Sequence, residues 1–425
     1  MRITIPKEIQ QIIELINNHG YEAYLVGGAV RDRILGIDNQ DYDLCTNMPL
    51  EEIKTIIPFF NIMRENDHRN TGIFRINDNE IEISSFHGDS LEEDLSNRDL
   101  TMNAIACDKD GNIIDPYNGV KDINNRTISL VKKDGEAIDI DPLRILRILR
   151  FKALYNFNID TNTKTVILSK KELLNNVAVE RIYQEFKKIL LSNHPSIIID
   201  DYKDIFCILI PELKESIGFK QNNPHHLYDV FNHTLKVIDN TPNNLALRMS
   251  ALFHDLGKPA CYKEDEKGIG HFLGHQFISA KIFENFANKY KIDSKTKDLV
   301  TKLVICHDQE LSTKPVKVTR FLQKFGVEHI ELLFKLKEAD KKGQNYANEE
   351  LEYLNKIKQL YLQRSEEEIC LTIKDLKING RKLLEMGFFD KKIGIILRDV
   401  LEQVTNEQLV NEEEQIVSFV ERKYK

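Results

Sequence analysis

No stretch of this 425-residue chain approaches the roughly 18 apolar residues that a membrane-spanning helix requires, so a helical membrane protein is excluded. A C-x-x-C pair is also missing. The six cysteines stand apart at 45, 107, 207, 261, 306 and 370. That scatter excludes a disulfide framework and a thiolate zinc site, and it implies reduced thiols in a cytoplasm. Internal repeats and low-complexity linkers are absent. The chain lacks an excess of positive charge. Its net charge of -8 argues against a general polyanion binder, although local clusters of Lys and Arg can still meet nucleic acid. The opening residues, MRITIPKEIQQIIELI, are amphipathic and carry Glu where a signal peptide would be apolar, so no targeting segment is expected there.

What is present divides along the chain. At this length two to four folded units are expected. Residues 1–130 mix short β-branched runs (AYLVGG, IEISSF, NAIACD) with helical patterns. From about 131 the pattern turns helical, through PLRILRILRFKALYNF and VAVERIYQEFKKILLS. Residues 223–345 are helical and rich in His, and 346–425 are charged and helical. The expected segments are therefore 1–130, 131–222, 223–345 and 346–425.

The stretch AYLVGGAVRDRILGIDNQDYDLCT carries the first chemistry. AYLV reads as a strand, Gly27-Gly28 as a tight turn, AVRDRILG as a short helix and DYDLC as a second strand. Residues two apart in a strand share a face, so Asp41 and Asp43 project together. Such a pair is costly unless a cation lies between its members. Mg²⁺ held there suits a triphosphate and an attacking hydroxyl. Glycines lack side chains, so their backbone N–H groups can approach phosphate oxygens.

Strand, glycine turn, short helix and D-x-D strand together resemble the nucleotidyltransferases of the DNA polymerase β superfamily. More closely, they resemble the class II tRNA nucleotidyltransferases, comprising CCA-adding enzymes and bacterial poly(A) polymerases. LVGGAVRD and DYDL match the first motif of that family, including Arg31. LEEDLSNRDLTMNAIACD resembles the second, with Arg98, Asp99 and Asn103 in matching positions. DPLRILRILRF resembles the base-reading motif through Asp141 and Arg144, with Ile140 where an acidic residue is common. VAVERIYQEFKKIL resembles the helix-supporting motif through Glu180, Arg181 and Glu185. The resemblance implies an α+β head with a polymerase β-like sheet, followed by an all-α neck, body and tail. It also implies Mg²⁺, CTP and ATP as ligands and the tRNA acceptor arm as partner. Superfamily members use a third carboxylate, and Glu82 in NEIEISSF is the candidate.

The base-reading pair can be argued chemically. With Asp141 and Arg144 three apart on one helix, both would share a face. A carboxylate accepts from an exocyclic amine, and a guanidinium donates to ring acceptors. Cytosine and adenine offer an amine beside a ring acceptor, whereas uracil and guanine offer a carbonyl. By analogy with groove readout, such a pair contributes about 1–3 kcal/mol of discrimination. Arg147 and Arg150 extend a basic stripe that could hold phosphates.

One departure from the family concerns a loop. Complete CCA-adding relatives carry a flexible loop between the strand resembling IEISSF and the segment resembling SLEEDL. Only HGD, 87–89, stands there in this chain. In the family that loop is tied to the switch from C to A addition. Its shortness favours a CC-adding enzyme over full CCA addition, with poly(A) addition as a variant.

The His-rich block has separate chemistry. His233 in YDVFNHTL, His254-Asp255 in ALFHDLGKP and Asp340 in KEADKKGQ resemble the HD phosphohydrolase superfamily in type and order. Imidazoles and carboxylates suit a divalent metal, and a metal-bound water is a nucleophile. His271, His275 and His307 are candidates for second-set ligands or phosphate contacts. In LKINGRKLLEMGF, Gly380-Arg381-Lys382 could meet an RNA backbone or form a turn between packed helices. Two competing functions remain: a metal phosphohydrolase with an RNA-binding head, and a non-catalytic tRNA-binding protein.

Overall fold

The structure is a computed structural model. It describes residues 1–38, 40–64, 70–77, 79–223, 227–344, 348–367 and 369–425. Two compact units are formed. The first is Met1–His194 with Asp201–Leu209, and the second is Pro195–Asp200 with Ile210–Lys425. No described helix is long and apolar enough to cross a membrane.

The first unit is built on a seven-stranded mixed sheet. Helix α1 (Lys7–Asn18) precedes β1 (Ala23–Val26), α2 (Gly28–Ile34), β2 (Asp41–Thr46) and α3 (Leu50–Ile56). Strands β3 (Asn61–Arg64), β4 (Asn70–Ile76) and β5 (Asn79–Ser85) lead to α4 (Leu91–Ser96), β6 (Ala106–Cys107) and β7 (Ile113–Ile114). The sheet order is β3-β4-β5-β2-β1-β6-β7. Only β2 and β5 pair in parallel; the other neighbours are antiparallel. In α1, Ile9, Ile12, Ile13 and Ile16 recur at helical spacing and are buried. In β2, the alternation Asp-Tyr-Asp-Leu exposes both aspartates and buries Tyr42 and Leu44.

Helices α5 (Gly119–Asn124), α6 (Glu136–Ile140), α7 (Arg144–Tyr155), α8 (Thr161–Ser169) and α9 (Val179–Leu190) follow the sheet. Asp141 departs from the sequence expectation. It lies on neither helix but in extended conformation between α6 and α7, and Arg144 is the first residue of α7. Pro142 explains the break, because its ring disfavours helical geometry in the preceding residue.

The second unit is helical apart from a two-residue pairing of Lys263–Glu264 with Gly270–His271, among the described residues. Its helices include Val230–Asn240, Leu245–Phe253, His275–Lys289, Ser294–Cys306, Pro315–Phe325 and Ile330–Lys342. Side chains of Asp229, Asn244 and Asp293 cap three of these at their N-termini. Towards the C-terminus, Leu376, Leu383, Phe388, Ile396, Val400, Ile416 and Val420 form a core of their own.

Candidate active site and metal centre

In the first unit, the turn after β1 sets the geometry. Gly27 adopts φ +67° and ψ -130°, a region that L side chains rarely enter. A Cβ at Gly27 would lie 2.8 Å from Arg98 Nη1 and 3.7 Å from Asp43 Oδ2. The glycine thus lets a guanidinium and a carboxylate close in on the turn. Its own N–H donates to Ile105 O at 3.2 Å, so the expected phosphate contact from this N–H is replaced by a backbone bond.

Asp41 and Asp43 share the exposed face of β2. Parallel pairing sets Asp41 opposite Glu80 and Asp43 opposite Glu82, so all four carboxylates point to one side. Glu80 is ion-paired with Arg75 at 2.7 Å, and Glu82 is the half-buried carboxylate beside Asp43. This grouping of hard oxygen donors on one face fits Mg²⁺.

A cavity of about 780 Å³ opens beside them. Asp43, Gly27, Arg98, Asp99, Asn103, Asp141 and Arg144 all line it, and Asp41 does not. Along its wall runs a connected polar network. Arg31 Nη1 donates to Asn103 Oδ1 at 2.6 Å, and Asn103 Nδ2 donates to Asp99 Oδ1 at 2.9 Å. Arg147 pairs with Asp99 at 3.0 Å. Burial pushes the Asp99 carboxyl up, but Arg147, the Asn103 amide and Arg144 outweigh it and hold the group below its ordinary value. Arg31 is itself buried. It bonds Asp32 at 2.8 Å and stacks its guanidinium over Phe151 and Tyr155 at 5.1 and 5.2 Å.

The short connection after β5 is wired to the same place. The His87 N–H donates to Asp94 Oδ1 at 3.0 Å, and Asp94 Oδ2 receives Arg98 Nε and Nη2 at 3.1 and 3.0 Å. Asp89 N–H donates to Glu93 Oε2, and the Ser90 hydroxyl caps α4. The 87–90 connection is therefore clamped onto α4, whose Asp94 holds Arg98 beside Gly27.

The arginines of α7 are less uniform than a phosphate stripe. Arg144 Nη2 reaches Asn97 O at 3.3 Å. Arg150 pairs with the buried Glu185 of α9 at 3.0 Å, so it ties two helices together. Arg181 was expected to support a helix, yet it lines the cavity and pairs with Asp141 at 2.8 Å. Asp141 also accepts the Leu143 N–H at 3.2 Å. Nothing local in the sequence marks Arg181 for this contact, because 40 residues separate the partners.

The second unit gathers six buried or half-buried groups. His233 Nε2 lies 3.2 Å from His254 Nε2 and 3.0 Å from Asp340 Oδ1. His275 Nε2 lies 3.3 Å from His307 Nε2. Asp255 stands between the two sets. Its Oδ2 is 3.2 Å from His254, and its Oδ1 is 3.2 Å from His275. The Nδ1 atoms of His233, His254, His275 and His307 each face a backbone carbonyl, at 3.1, 2.8, 2.8 and 2.7 Å. A carbonyl only accepts, so Nδ1 carries a proton, and in the neutral imidazole Nε2 turns its lone pair inward. Converging lone pairs and carboxylates repel unless a cation lies among them, so this donor set fits divalent metal. Burial pushes His254 down, but Asp255 outweighs it and raises the group; Asp255 is held well below the ordinary carboxylate range by His254 and Lys258 against its burial.

Lys258 was missed by sequence reasoning. Its Nζ contacts Asp255 Oδ2 at 2.7 Å and Gln221 Oε1 at 2.8 Å. The i+3 spacing within HDLGK was the available signal. His271 is not among the converging ligand atoms, since it pairs with Asp265 at 3.0 Å, but it lines the cavity that Asp255, His275, His307 and Asp340 border, where a phosphate contact was expected of it. Gly380 begins a short helix capped by Asn379, and Lys382 pairs with Glu413 at 2.9 Å, as expected of a turn between packed helices.

Comparison with known proteins places the chain. Residues 23–129 match a poly A polymerase head domain, and 156–217 match a probable RNA- and SrmB-binding site of polymerase A. Residues 263–420 match a putative tRNA nucleotidyltransferase domain 2. A multifunctional CCA protein of Azoarcus sp. strain BH72 is 32% identical over 309 residues, spanning 67% of this chain and 73% of the relative. This chain belongs to the class II CCA-adding enzyme and poly(A) polymerase family. The fold agrees. The Bacillus stearothermophilus CCA-adding enzyme in complex with CTP superimposes with a TM-score of 0.71 at 24% identity, covering 99% of this chain and 98% of that one. The Thermotoga maritima CCA-adding enzyme complexed with tRNA gives 0.58 at 19% identity, covering 98% and 96%.

Proposed function

We propose that this chain is a CCA-adding-family tRNA nucleotidyltransferase that joins C residues to tRNA 3′ ends from CTP, without a nucleic-acid template. One observation carries the reading: Asp43 and the Asp141–Arg144 pair border a single cavity of nucleotide size. In the proposed reaction the RNA 3′-hydroxyl attacks the α-phosphorus of the bound nucleotide in line, and pyrophosphate leaves. Asp41 and Asp43, with Glu82 adjoining, would hold Mg²⁺. When bound, the ion lowers the pKa of the attacking hydroxyl and shields developing charge. Asp141 accepts the exocyclic amine of the base, and Arg144 donates to its ring acceptors. Arg181 holds the Asp141 carboxylate in place, and Arg98 stands beside the turn to meet phosphate.

The short 87–89 connection supports C addition without the terminal A, because the His87 and Asp89 N–H groups are already bonded to α4. The test uses labelled tRNA ending at the discriminator base, with CTP, ATP or both, resolved to single nucleotides. Products stopping at CC with both nucleotides present are expected. Products ending in CCA would overturn the CC assignment but leave nucleotidyl transfer standing. Runs of A would point to poly(A) addition, and no extension with Mg²⁺ present would overturn the whole reading.

The His/Asp cluster favours a second activity, metal-dependent hydrolysis of a phosphomonoester or 2′,3′-cyclic phosphate. Loss of such hydrolysis in His254→Ala, with CTP incorporation retained, is the expected outcome. Hydrolysis unchanged in that variant would refute it.

A further inference from the structure

A second cavity, of about 600 Å³, lies among the helices Ser294–Cys306, Pro315–Phe325 and Asn348–Glu366, and it has no part in either site above. Four cations, Lys302, Lys317, Arg320 and Lys324, line it against one carboxylate, Glu310. This is unusual in a chain of net charge -8. Elsewhere in the unit, Lys341, Lys342, Arg364, Lys382 and Lys423 are ion-paired. Among the described residues, none of the four lining cations has a carboxylate partner. Lys302 reaches the Phe325 carbonyl at 3.4 Å, and Arg320 reaches the Asn406 side chain at 2.7 Å.

The floor is aromatic. Phe321 stacks on Phe325 with ring centroids 5.4 Å apart and meets the edge of Tyr361 at 5.6 Å. Phe325 and Tyr361 are buried, while Phe321 keeps part of its surface on the cavity. Lys317, Arg320, Phe321 and Lys324 stand at i, i+3, i+4 and i+7, on one face of their helix. The row spans about 10 Å at 1.5 Å per residue, which is longer than a single phosphate. Four cations crowded against a single carboxylate raise the potential of the site, and a polyanion relieves it. A π face inside a cationic rim is how unpaired nucleotides are held, the base on the ring and the phosphates on the rim.

We propose that this cavity is a separate RNA-contact site that takes an unpaired nucleotide of an RNA strand. The base lies against Phe321, and the flanking phosphates lie among Lys302, Lys317, Arg320 and Lys324. The test is fluorescence anisotropy of a labelled single-stranded RNA with the full chain, across a KCl series. Lys317→Glu with Lys324→Glu touches no pairing within the structure, so the melting temperature should not move. Binding at low salt should weaken about tenfold or more, and the slope of log K against log salt should fall by roughly 1.4, at about 0.7 per lost single-strand phosphate contact. A charge-matched control, Lys263→Glu with Lys267→Glu, should change neither by as much. Phe321→Leu should weaken binding while leaving the slope unchanged. Equal effects from test and control pairs would overturn the proposal. So would ATP binding that depends on Lys317 and Lys324 but that RNA does not displace, since that would mark a free-nucleotide site.

Discussion

Gly27→Ala tests how closely the first site is built. The residue sits at φ +67°, so any L side chain there carries backbone strain of about 1–3 kcal/mol. The added methyl also meets Arg98 Nη1 at 2.8 Å, where ordinary contact begins near 3.4 Å. Arg98 cannot swing away cheaply. Both Nε and Nη2 are tied to Asp94, which is buried and also holds His87 N–H. The displacement must pass into Arg98, into the 87–90 connection, or into Asp43, whose Oδ2 lies 3.7 Å from the same methyl. A misplacement near 1 Å at a reacting centre costs on the order of 10²-fold in rate. The expected result is a melting transition lowered by roughly 2–12 °C for a unit of this size, and CTP incorporation reduced about a hundredfold. Single-turnover incorporation with saturating CTP reads the rate, and calorimetry reads the stability. Wild-type incorporation in a variant with lowered melting would refute the claim that Gly27, Arg98 and Asp43 form one tightly fitted group.

Asp41→Ala and Asp43→Ala should each abolish extension, whereas His254→Ala should spare it and lose bound divalent metal measured by atomic emission. Arg181→Ala removes a half-exposed ion pair, so stability should change by no more than about 1 kcal/mol. Discrimination should suffer, with UTP incorporation relative to CTP rising about tenfold as Asp141 loses its hold. Burial pushes Lys337 down to about 8, although its Nζ donates to Gln309 O at 2.7 Å and also to His307 O. Its folded value lies below its unfolded value of about 10.4, so the unfolded chain binds the extra proton between those limits. This group's penalty is therefore full below pH 8 and fades as pH rises towards 10.4. Relative to Lys337→Met, the wild-type chain should gain melting temperature across that window; a difference independent of pH would contradict the assignment.

Much of the first site was legible because its signals are local. The alternation in DYDLC predicted a shared face for Asp41 and Asp43, and β2 has that alternation. The expectation of an α+β head followed by helices holds, since strand and helix periods survive any tertiary arrangement. Where local reasoning failed, a neighbour intervened. Pro142 removed Asp141 from the helix, and Ile105 took the Gly27 N–H. Glu185 pairs with Arg150, a contact no local signal announced, although Arg150 also lines the cavity.

The sequence by itself determined the strand alternation, the glycine turn and the chemical types of the candidate metal ligands, because each depends on neighbours a few positions away. Tertiary structure alone decided that Arg181 meets Asp141 and that Asp255 stands between two histidine pairs. It also decided that four cations without a carboxylate partner among the described residues share one aromatic cavity. Partners separated by tens of residues meet only when burial of apolar surface has fixed the helices that carry them. No spacing rule on a single chain encodes that distance.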